Sequence, residues 1–189
     1  NSQVGVFASY ASPHGYAFLD SRLFVPEEWF SEEYRERREK CAFPEDLTFR
    51  TEPQLAAAML VDIHKEQTIP FKYVVADSIY GHSPDFIEEV EKLDEVIYMV
   101  SIAADTQCWL KSPATATKQY THKGEQRIKT VLGDPAKRPV TVQQIASKLN
   151  NYFWYRRKVS EGTKGPIEYE FCKKRITLSR DGLPWKTVW

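Results

Sequence analysis

The chain has 189 residues, enough for one ordinary domain or for a core carrying a substantial insertion, and short for two complete domains. Hydrophobic residues make up 42% and charged residues 28%, a balance that excludes a disordered chain. No apolar run reaches bilayer length and the N-terminus lacks a basic-then-apolar leader, so the sequence reads as soluble, unexported and cytoplasmic.

The zero net charge conceals a division. Residues 1–110 hold nine Lys and Arg against twenty Asp and Glu, whereas residues 111–189 hold seventeen against six. A basic tract joined to an acidic one points to a nucleic-acid partner for the basic part. Mutual attraction of the two parts is the plainer alternative. Cys41, Cys108 and Cys172 form no C-x-x-C pair and read as reduced structural thiols. His82 lies near Asp77 and Asp85 and could in principle join a metal site, although a loop histidine is ordinarily just solvated.

Residues 3–10 and 16–25 are rich in aromatic and aliphatic side chains and flank turn material, which predicts a β-hairpin. Ser31 is placed to cap a short charged helix over 31–43, with Glu33 and Arg37 one turn apart. Thr51 is an N-cap with Pro53 in the first turn, followed by Leu55, Ala56, Met59, Leu60 and Ile63 on one helical stripe. Residues 73–76 are continuously apolar, as in a strand covered on both faces, and the run ends at Asp77 with Gly81 close behind. Ser83 and Pro84 open a second amphipathic helix with Phe86, Ile87, Val90 and Leu93 inward, and residues 96–103 supply another strand. Strand, helix and strand at these lengths make a parallel crossover. Such sheets gather ligands at the carboxyl ends of their strands, where Asp77 lies.

Beyond residue 110, residues 111–138 are basic and without clear periodicity. Residues 141–149 predict a short helix, and 152–159 and 167–176 predict two strands around the turn 160–165. The division expected is thus an α/β core over 1–110 and a basic β-rich subdomain over 111–189. The apolar stretches at both termini suggest a segment cut from the middle of a longer protein.

Five short motifs stand in a recognisable order: residues 1–7 (NSQVGVF), 23–29 (LFVPEEW), 49–56 (FRTEPQLA), 75–81 (VADSIYG) and 161–166 (EGTKGP). Together they resemble bacterial insertion-sequence transposases of the DDE type. The resemblance implies a partial ribonuclease H-like mixed sheet with flanking helices, plus a β-rich insertion between the second and third catalytic acids. It also implies DNA strand cleavage and transfer using Mg²⁺ or Mn²⁺, with double-stranded DNA as partner and self-association in a synaptic complex. The alanine-aspartate with a following tyrosine-glycine pair matches the second of three acids, which assigns a catalytic and metal-binding role to Asp77. The first acid belongs on a strand before Asn1 and the third on a helix after Trp189. Two-metal phosphoryl transfer needs several carboxylates, so this chain alone is expected to be inactive and to bind metal weakly. Lys123, Arg127, Lys129, Lys164, Lys173, Lys174 and Arg175 are the candidate DNA-backbone contacts, with nearby Tyr and Trp rings available to stack on exposed bases.

Three features compete with this reading. Strand-end aspartates often merely cap the following turn, which gives Asp77 a structural alternative. Trp154, Arg157 and Glu161 are spaced like the pattern around the third acid in related transposases, but Glu161 begins a turn and breaks the single helical face this requires. Asp105, just beyond the second strand, could also face the site, but its better reading is a turn or cap residue. The rival function is a non-catalytic, domesticated DNA-binding protein with the same fold.

Overall fold

A computed structural model describes residues 3–189, and the chain divides into two compact units, 1–102 and 103–189. Asn1 and Ser2, which open the first of the five motifs, lie outside the described residues.

The first unit begins with the expected hairpin, β1 (Val4–Ser12) and β2 (Gly15–Phe24), antiparallel with a bulge between Ala8 and Ser9. The predicted charged helix is broken up. Two 3₁₀ turns, Glu27–Phe30 and Glu32–Tyr34, precede a six-residue helix, α1 (Arg35–Lys40). Ser31 makes no side-chain cap; its hydroxyl donates to the Glu28 carbonyl at 2.7 Å. Arg35 pairs with Glu32, and Arg37 lies over the Tyr34 ring instead of meeting Glu33. The segment is anchored by rings, Trp29 and Phe30 on Phe43 and Phe30 on Phe49, a contact set that helical charge spacing does not encode.

α2 (Glu52–Glu66) forms where its signals predict. Thr51 and Gln54 make a reciprocal capping box, and Ala56, Ala57 and Met59 are buried. Thr51→Ala removes the hydroxyl that accepts from the Gln54 amide and is expected to cost about 1 kcal/mol in urea denaturation, with an unchanged m-value.

β3 (Tyr73–Ala76) leads through α3 (Ser78–Gly81) and α4 (Pro84–Val90) to β4 (Ile97–Val100). The strands pair in parallel, Tyr73 with Ile97 through Ala76 with Val100, as the crossover requires. α4 is capped by Ser83 and buries Phe86, Ile87 and Val90, each worth about 1.5–3 kcal/mol of burial, and Leu93 follows them inward. The expectation that β3 is covered on both faces fails. Val74 is buried, but Tyr73 and Val75 are 69% and 70% exposed, as are their partners Ile97 and Met99 at 61% and 67%. An apolar run marks a strand without revealing how many of its faces are packed.

The hairpin and the parallel pair are separate two-stranded sheets, where one mixed sheet was expected. Between them lies a groove of about 690 Å³. Residues 7–11 of β1 and residues 70–76 around β3 line it consecutively, not alternately. Alternate residues would line a groove from a strand's face; consecutive ones line it from a strand's edge. Among the described residues β1 pairs only with β2 and β3 only with β4, so each keeps one unpaired edge.

The second unit is built on a four-stranded antiparallel sheet whose strand order runs from 183–188 through 176–180 and 107–109 to 140–141. Its strands are β5 (Gln107–Trp109), β8 (Val140–Thr141), β11 (Ile176–Arg180) and β12 (Leu183–Val188). Cys108, Trp109 and Leu178 are buried on it with Ile145 of α5 (Val142–Lys148). α5 is the predicted short helix, capped by Thr141 in a second capping box. The Trp109 indole donates to the Lys137 carbonyl at 2.9 Å, and burial raises the Cys108 thiol pKa, which keeps it protonated.

Two hairpins leave this sheet. β6 (Thr115–His122) and β7 (Glu125–Leu132) occupy the stretch where no periodicity was legible. β9 (Tyr155–Gly162) and β10 (Gly165–Phe171) correspond to the two predicted strands, with a turn shortened to Thr163 and Lys164. Lys123-Gly124 and Asp181-Gly182 both have positive φ at both positions, the type I′ geometry that matches strand twist and closes β6 on β7 and β11 on β12.

Candidate active site

Asp77 is the residue immediately after β3. Its backbone is extended, and its Oδ1 accepts from the Ile79 amide at 3.0 Å, so it caps α3 as the structural alternative requires. Capping uses one face of one oxygen, and the side chain stays exposed. Its surroundings are fixed: the Ser101 amide donates to the Ala76 carbonyl at 3.1 Å and joins the two strand ends, and the Gly81 amide donates to the Asp77 carbonyl at 3.1 Å and closes the turn. A Cβ on Gly81 would stand 2.0 Å from the Ser101 carbonyl oxygen, so the turn carrying Asp77 sits against the end of β4 at a distance only glycine permits. Burial, followed by the negative charges of Asp77 and Glu52, pushes the Tyr80 hydroxyl pKa up.

The neighbouring ligand-type residues are engaged elsewhere. His82 Nδ1 bonds the Ser78 carbonyl at 2.8 Å, and Asp85 accepts from the Gln54 amide nitrogen at 2.8 Å. Among the described residues there is no group of three or more His, Cys, Asp or Glu able to hold a metal ion. Asp77 offers the hard oxygen donor that Mg²⁺ favours, but a lone carboxylate does not make a metal site.

The chain matches the family model described as DDE superfamily endonuclease over residues 1–166. It belongs to that family. No curated protein and no solved structure matches it significantly. Membership implies a nuclease or transposase type of function on DNA, in a family that generally uses divalent metals. No helix of the described residues is long and apolar enough to cross a membrane.

The seven predicted DNA contacts fall in three places along the second unit. Lys123 is in the β6–β7 turn with Arg127 and Lys129 on β7, and Lys164 is in the β9–β10 turn. Lys173, Lys174 and Arg175 lie in the connection from β10 to β11. Two rings near these cations carry them directly: Lys174 lies 3.2 Å from the Phe153 centroid and Lys173 4.5 Å from that of Trp189. Arg157 and Glu161 are on β9, so with Trp154 they share no helical face. Asp105 is in a turn. Lys118, on β6, was missed by sequence reasoning because its significance depends on what stands opposite it.

Proposed function

We propose that the chain is the middle part of a DNA transposase that cleaves and rejoins DNA with divalent metal, and that Asp77 is the second of its three catalytic acids. The observation that carries this reading is an exposed carboxylate at the carboxyl end of a parallel strand, in a chain of the DDE endonuclease family. The groove between β1 and β3 supports it. Two unpaired strand edges accept a further strand, and in a ribonuclease H-like sheet that strand carries the first acid beside Asp77. Residues 111–189 are then an insertion before the third acid.

On this reading the described residues hold too few acids to bind metal tightly. The isolated chain is expected to show no metal-dependent nicking of supercoiled DNA; nicking that Asp77→Asn abolishes would refute the inactivity. For the full-length gene product, cleavage of DNA that requires Mg²⁺ or Mn²⁺ is expected. Salt-sensitive DNA binding without any cleavage would favour the domesticated, non-catalytic alternative.

A further inference from the structure

In a two-stranded ribbon open to water on both sides, pairing register alone decides which side chains share a face. In β6 and β7, Lys118 stands opposite Lys129 and Tyr120 opposite Arg127. These pairs alternate with Thr117 opposite Thr130 and Gln119 opposite Ile128. One face therefore gathers Lys118, Arg127 and Lys129, with Tyr120 and, at the turn end, His122 and Glu125, and the other holds hydroxyls, two amides, Ile128 and Leu132. All of β6 is exposed, as are the first six residues of β7.

Like charges directly across a ladder are destabilising, and a two-stranded ribbon is marginal in water to begin with. Arg127 pairs with Glu125 at 3.0 Å, but neither Lys118 nor Lys129 forms an ion pair among the described residues. The second ribbon solves the same problem internally. There Lys158 stands opposite Glu168 and Arg156 opposite Glu170, with Arg156 and Glu170 in contact at 3.4 Å and Lys158 also paired to Glu161. Only the first ribbon keeps a lysine pair that an external anion would relieve.

We infer that the face of β6 and β7 carrying Lys118, Arg127 and Lys129 binds the phosphate backbone of duplex DNA. This rests on the DNA-acting function proposed above. A two-stranded ribbon fits the major groove, where its cations reach the flanking phosphates. Single-strand sites instead offer free aromatic platforms, whereas the Tyr120 ring on this face lies under Lys129 at 5.2 Å.

The test is fluorescence anisotropy of the chain with a short random-sequence duplex between about 50 and 200 mM salt. Each phosphate contact contributes about −0.9 to the slope of log K against log salt, so Lys118→Ala with Lys129→Ala should flatten it by about 2. Thr117→Ala with Thr130→Ala, on the opposite face of the same ribbon, should leave it unchanged. Circular dichroism checks that both double variants fold. An unaltered slope in the lysine variant, an equal loss in the threonine variant, or tighter binding to single strands than to duplex overturns the ribbon assignment while DNA binding itself stands. Absence of salt-dependent binding by the unmutated chain overturns both.

Discussion

Asp77→Asn in the full-length gene product is expected to lower metal-dependent DNA cleavage by about a thousandfold while leaving folding stability within about 0.5 kcal/mol of the parent. The two outcomes separate the two roles available to this residue. Asparagine keeps the side-chain oxygen that accepts from the Ile79 amide, and it caps helices about as well as aspartate. It removes the negative charge that a metal-binding acid needs, a loss of several kcal/mol in transition-state stabilisation. Asp77→Ala removes both and should in addition cost about 1 kcal/mol in denaturation. Full cleavage by the asparagine variant, together with destabilisation by alanine, would reduce Asp77 to a turn cap.

The position of Asp77 was legible because an apolar β-prone run stops abruptly at a carboxylate, and the two long amphipathic segments were legible because α2 and α4 bury a stripe at helical spacing. Where packing is weak, the signal fails. β6 and β7 have no buried residue, so nothing in their hydropathy alternates, although Lys123-Gly124 marks the turn between them. Asp181-Gly182 is an equally plain turn signal, yet the apolar stretch after it read as a chain end, not as the second arm of a hairpin. The open edges of β1 and β3 were illegible in principle. A strand's alternation describes its faces, and the same residues serve whether or not a neighbour is bonded to its edge. Lys118 belongs with these cases: its opposition to Lys129 is a property of register, not of composition.

Gly81→Ala is expected to destabilise the chain by about 2 kcal/mol and to disturb whatever depends on the placement of Asp77. Gly81 has no positive φ, so alanine would suit its backbone and by helix propensity alone would gain about 1 kcal/mol. The loss comes from space. The added methyl would stand 2.0 Å from the Ser101 carbonyl oxygen and 3.3 Å from Val100 Cγ2, and a backbone oxygen at the end of a paired strand cannot swing aside as a side chain can. Relief requires α3 to move away from β4. That strains the turn closed by the Gly81-to-Asp77 bond against the Ser101-to-Ala76 bond that holds the two strand ends level. The glycine thus fixes the height of Asp77 above the sheet, which is a physical reason for a glycine four residues after the acid. Urea denaturation measures the cost, and unchanged stability would mean that the turn can shift freely and does not hold the carboxylate in place.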